Sequence, residues 1–155
     1  MSRRSWKHYQ PNSLRDALEG CKDFARDRQN KSVERIAAEM GLADHWVLYK
    51  WLQNGRMPTS LLIAYEKTCG INLVSRWLSA SSGKLLIDMP TGRQGQARDI
   101  QALQNQLHQV TGLLMDFYES KTSAERTLEG IHNAMQSLAW HRGNVQQHRQ
   151  PQLEL

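Results

Sequence analysis

The stretch from Lys31 to Pro58, KSVERIAAEMGLADHWVLYKWLQNGRMP, decides the fold. Ser32 marks a helix start, and Val33, Ile36, Ala37 and Met40 then fall on one face of a helical period, with Glu34, Arg35 and Glu39 on the other. Gly41 suits a left-handed turn that strains any residue carrying a Cβ, and the small Ala37 lets a second helix cross closely. Leu42 plugs the junction, Asp44 caps the second helix, and Val47, Leu48, Trp51 and Leu52 give that helix a buried seam. His45, Trp46, Tyr49, Lys50 and Gln53 are left outward. A helix held this way can enter a DNA major groove with its first turns against base edges. His45, Trp46, Tyr49 and Lys50 are then the base-reading set, Asp44 opens the same DNA-facing turn, and Lys31, Ser32, Arg35 and Arg56 are expected on phosphates.

Plain helical bundles also contain a helix, a glycine turn and a helix, so the pattern alone does not select DNA. Three further features do: Trp46 and Tyr49 point outward without a core role, Lys50 and Arg56 supply cations at the far end, and NGRMP closes the helix. On these residues the chain resembles a known family. GLADHWVLYKWLQNGRMP is similar to the signature of Cro-like and repressor-like helix-turn-helix regulators of temperate phages and prophages, with YKWL and GRMP matching best. The stretch from Gly41 to Trp51 is one residue longer than the usual pattern. The resemblance spans about Ser13 to Ser79 and implies a five-helix, lambda-repressor-like DNA-binding domain. The whole layout, with a long helical segment after a short connector, resembles the phage CII-type transcriptional regulators, which implies tetramers on promoter DNA.

Charge agrees with a nucleic-acid partner. Residues 1–98 carry a net +7 and residues 99–155 a net −2, so the cations sit in the half that holds the motif. Phosphate neutralisation needs that asymmetry, because cation contacts displace condensed counterions. Cys21 and Cys69 are isolated, without metal-ligand spacing, and are expected on inward helix faces as small hydrophobes. No apolar run of signal-peptide or membrane-span length is present, so the expectation is a bacterial cytoplasmic protein with no membrane partner.

Met1 to Asn12, with Arg3, Arg4, Lys7 and His8 around Trp6 and Tyr9, is expected to be a flexible basic arm. Residues 13–80 form the helix-turn-helix domain. Its first helix starts after Asn12 or Ser13, with Leu14, Leu18, Cys21 and Phe24 inward. Thr59 caps a fourth helix that stops at Gly70, and Ile71 to Ser79 is a fifth that packs Leu73, Val74, Trp77 and Leu78 on the motif. Residues 81–98 are a connector, in which Lys84 to Pro90 could be an extended strand or docking segment and Thr91 to Gly95 a hinge. Residues 147–155 are expected to be a flexible tail.

Residues 99–146 carry the second pattern. Steps of three and four from Ile100 meet Leu103, Leu107, Val110, Leu114, Phe117, Lys121, Ala124, Leu128, Ile131, Met135, Leu138, Arg142 and Val145, a heptad seam interrupted only at Lys121 and Arg142. An amphipathic helix lying on its own domain would drift off this register, so association between helices explains it better. Ile100, Leu103, Leu107, Val110, Leu114, Phe117, Leu128, Ile131, Met135 and Leu138 are the expected oligomerisation residues, with a homotetramer favoured over a dimer. Thr122 to Glu125 has capping-box form, which leaves open a hairpin in which two chains supply four helices. Gly112 and Gly130 weaken either version slightly.

The composite expectation is an all-α protein that binds double-stranded DNA as a homo-oligomer. Enzyme chemistry finds no support: there is no nucleophile elbow, no phosphate loop and no grouped carboxylates, and the six histidines are scattered without ligand spacing. No cofactor or metal is expected. The alternative is a protein-interaction adaptor, antitoxin-like or a phage-encoded inhibitor, acting through the C-terminal helices.

Overall fold

The computed structural model describes residues 6, 9–88, 90 and 92–149, without the side chains of 148 and 149. Among them it is all-helical: α1 (Leu14–Gln29), α2 (Val33–Glu39), α3 (His45–Asn54), α4 (Thr59–Cys69), α5 (Leu73–Ser81), α6 (Ala97–Tyr118) and α7 (Ala124–Arg149). The chain divides into two compact units, Met1–Leu86 and Ile87–Leu155. No helix among the described residues is long and apolar enough to cross a membrane.

In the first unit α1 runs through the middle and touches α3, α4 and α5. The Ser13 hydroxyl accepts the Asp16 N–H at 3.1 Å and starts it, and Asn30, in the left-handed region at φ 51°, ends it. Leu18, Cys21, Ile36, Leu48, Tyr65, Leu73 and Val74 form a core closed to water. Both cysteines are fully buried as expected, and burial pushes each thiol up to about 12. The buried Tyr65 hydroxyl donates to the Leu18 carbonyl at 2.8 Å.

Several expectations shift. Pro58, not Thr59, occupies the cap position of α4. α5 extends to Ser81 and packs mainly on α1 instead of on the motif, leaving Leu78 45% exposed. Its own cap residue Asn72 makes no side-chain bond, and a tertiary partner replaces it. The buried Glu66 carboxylate accepts the Ser75 N–H at 2.8 Å and the Ser75 hydroxyl at 2.5 Å. The expected floppy arm is anchored where it is described: Trp6 is buried edge-on against Tyr9 and Phe24, and Tyr9 donates to Asp16 at 2.6 Å. Arg3, Arg4, Lys7 and His8 lie outside the described residues. Lys84–Asp88 pairs with no strand.

The second unit is a hairpin. α6 ends at Tyr118, Ser120 turns in the left-handed region at φ 59°, and the Ser123 hydroxyl accepts the Arg126 N–H at 3.3 Å to start α7. The cap therefore sits one residue beyond Thr122. The helices are antiparallel, with the Ser137 hydroxyl donating to Gln106 Oε1 at 2.7 Å and the Gly95 N–H to Asn144 Oδ1 at 3.3 Å. Gly130 lies at the crossing, where an added Cβ would stand 2.7 Å from Leu113 Cδ1, so this glycine permits close approach as well as weakening the helix. The expected hinge is held at its end: Arg93 pairs with Asp99 through both guanidinium nitrogens at 2.8 and 2.5 Å and lies over the Trp140 ring.

Candidate nucleic-acid interface

The motif residues build the expected local geometry. Ser32 accepts the Arg35 N–H at 3.3 Å, Gly41 turns at φ 73°, and the Leu42 N–H returns to the Ala37 carbonyl at 3.0 Å. A side chain at Gly41 would meet open space, so only its positive φ demands glycine. Asp44 then accepts the Trp46 N–H at 2.9 Å, and α3 runs until Gly55 turns at φ 69°. Leu48 and Leu52 anchor the helix in the core.

The opposite side carries an aromatic cluster. Trp46 is 61% exposed, and its ring lies 5.2 Å from His45 and 5.5 Å from Tyr49. The three rings pack edge to edge or tilted and stand together as one exposed ledge. The Tyr49 hydroxyl donates to Glu34 Oε1 at 2.9 Å and ties α3 back to α2. That bond raises the Tyr49 phenol. Glu34 is held below the ordinary carboxylate range first by its own backbone N–H, then by the Ser32 and Tyr49 hydroxyls.

Lys50 and Arg56 are exposed, with no ion-pair partner among the described residues, while the Arg56 N–H donates to Asn54 Oδ1 at 2.9 Å. Arg35 pairs with Glu39 at 3.1 Å but keeps most of its side chain in water. Lys31 is a correction. Its ammonium bridges Glu39 at 2.5 Å and the Thr68 carbonyl at 2.9 Å with a side chain only 15% exposed, so it clamps α2 to the end of α4 instead of offering itself to a phosphate. That clamp, with Arg35, holds Glu39 below the ordinary range.

Two neighbours of α3 were not singled out from the sequence. Arg15, exposed in the first turn of α1, packs its Cβ beside Gly55, where a methyl would stand at 3.5 Å, so its base lies next to the residue that precedes Arg56. Glu34 brings a carboxylate to the aromatic ledge. Neither was legible, because each depends on which helices meet.

The ten expected oligomerisation residues divide between two roles. Leu103, Val110, Leu114, Ile131 and Met135 are half-buried, whereas Ile100, Leu107, Phe117, Leu128 and Leu138 are exposed. Comparison with protein-family models, with curated proteins and with solved structures gave no match to this chain.

Proposed function

We propose that this chain is a sequence-specific regulator of phage or prophage type that binds double-stranded DNA through α3, as a homo-oligomer in the bacterial cytoplasm. The observation that carries the proposal is the two-sided character of α3: Leu48 and Leu52 are buried, while Trp46, Tyr49 and Lys50 face water. Lys50 suits guanine acceptors in a major groove, and the Trp46 ring suits apolar contact with a thymine methyl. Arg15, Arg35 and Arg56 supply cations for phosphates on either side, and Lys31 is withdrawn from that set.

Selection of duplexes from a random library by the full chain tests the proposal. One enriched sequence is expected. Lys50→Ala and Tyr49→Ala lower discrimination between that sequence and random duplex, by about 1–3 kcal/mol for Lys50, whereas Arg56→Ala weakens both about equally. Binding of all three variants at the level of the unsubstituted chain would sink the docking of α3.

The exposed aromatic ledge also favours a second proposal, a protein-interaction adaptor acting through α3 and not through the C-terminal helices as the sequence suggested, because Trp and Tyr dominate protein-binding hot spots. A library that yields no enriched duplex, together with a protein partner lost on Trp46→Ala, would favour the adaptor.

A further inference from the structure

We infer that one outer face of the α6–α7 hairpin is where a second copy of this chain docks, two hairpins closing into a single four-helix bundle. The inference deepens the homo-oligomeric part of the proposed function and rests on that part alone, not on DNA binding. Thr127 and Ala134 are buried, and Gly130 and Ser137 lie against Leu113 and Gln106, so α7 meets α6 through small residues. Three large residues of its heptad seam stay outside, Leu128 at 64%, Leu138 at 46% and Val145 at 69% exposed, while Ile131 and Met135 are half-buried.

On α6, Leu103 and Val110 turn inward, while Ile100 and Leu107 lie roughly 40–60° further round at ~100° per residue. On α7, in the same sense, Leu138 lies about 40° and Leu128 about 120° round from Ala134. Because the helices are antiparallel, both rotations lead to the same side of the pair, so the two stripes make one largely apolar face, broken by Gln104, Thr111 and Arg142. The opposite side is polar, with Asn133 and Asp116 exposed, and there Arg93 covers Trp140. An apolar face of this size does not stay in contact with water at no cost.

Size and shape select the occupant. The 22 residues of α6 span about 33 Å, and two helices side by side are roughly 20 Å across, which makes a face on the order of 700 Å². A stable pair buries about 800 Å² on each partner. No helix of residues 14–81 exceeds 16 residues, about 24 Å, so no helix of the first unit matches the length of the face. A second hairpin does, and it brings the same heptad repeat to every position under a two-fold axis. Four helices surround a core that two cannot, which accounts for large seam residues beyond those a lone hairpin can bury.

Native mass spectrometry and light scattering on the full chain at tens of micromolar, without DNA, test this. The expected particle contains two chains. L128K/L138K should halve the mass at unchanged helical circular dichroism, because both leucines are exposed in the single chain, whereas Asn133→Lys on the polar side should leave the pair intact. L128A/L138A, which adds no charge, should raise the dissociation constant at least about tenfold. A single-chain mass, a four-chain particle, or a pair indifferent to both double variants would overturn the inference. Failure to select a duplex while the pair persists would count only against DNA reading.

Discussion

The helices of residues 14–81 turn most of their large apolar side chains inward, with Trp46, Ile63 and Leu78 among the exceptions, whereas those of residues 97–149 leave many outside. Leu18, Ile36, Leu48, Tyr65, Leu73 and Val74 are closed to water in the first unit, but in the hairpin the buried residues among those described are the small Thr127 and Ala134. The cause is geometric. In the first unit α1 is flanked by α3, α4 and α5, so most apolar stripes find a wall; within the hairpin each helix meets one other and hides only part of its circumference against it. One core is complete within a chain, and the other is the one proposed to be completed by a second chain. Stability of the first unit should therefore be independent of protein concentration, and that of the hairpin should rise with it.

Substitutions can break or sharpen this contrast. The largest effect is expected from Leu48→Ala, which leaves a cavity under α3 and should cost about 2–5 kcal/mol. Urea titration with peptide-resolved hydrogen exchange should show the loss in residues 9–86 alone; equal loss in the hairpin would mean that the two cores are not separate. Next comes Ala134→Leu, which inserts three carbons where α7 meets α6 and should cost about 1–3 kcal/mol, confined to the hairpin amides. If Ala134→Leu were silent, the small-residue contact between α6 and α7 would be wrong.

The smallest effect concerns pH. The Arg93 guanidinium, and after it the Gln96 N–H, hold the Asp99 carboxyl at about 2 against an ordinary 3.8. A depressed folded value stabilises above the ordinary value and is lost as pH falls, here from about 4 through about 2. Protection of the Gln96 amide, corrected for the intrinsic exchange rate at each pH, should fall across that window, and Asp99→Asn should remove the pH dependence of that protection.

Parts of this architecture were legible because they are local. Ser13, Ser32 and Asp44 cap their helices by reaching N–H groups two or three residues away, and Gly41 turns alone, so each could be recognised without knowing the fold. The outward set on α3 followed from periodicity for the same reason. The Lys31 clamp is not legible in the sequence, because its partners, Glu39 and the Thr68 carbonyl, come from two different helices. Glu66 as the cap of α5 was equally hidden, since an ordinary capping side chain sits at the helix start and this one arrives from α4.

The hairpin marks the boundary most sharply. A heptad of Ile, Leu, Met and Val reports that helices must associate, but hydrophobicity cannot say which face meets which helix. That choice is one of volume: Thr127, Gly130, Ala134 and Ser137 allow the backbones of α6 and α7 to close in, and the bulkier leucines are displaced to the outside. The amino-acid order alone determined the helices, their caps and the two-sided character of α3, because these depend on neighbours within a turn or two. Only the tertiary structure decided which cations remain available, which residues lie between α6 and α7 and which apolar face is left over, because close packing is settled by residues far apart in the chain.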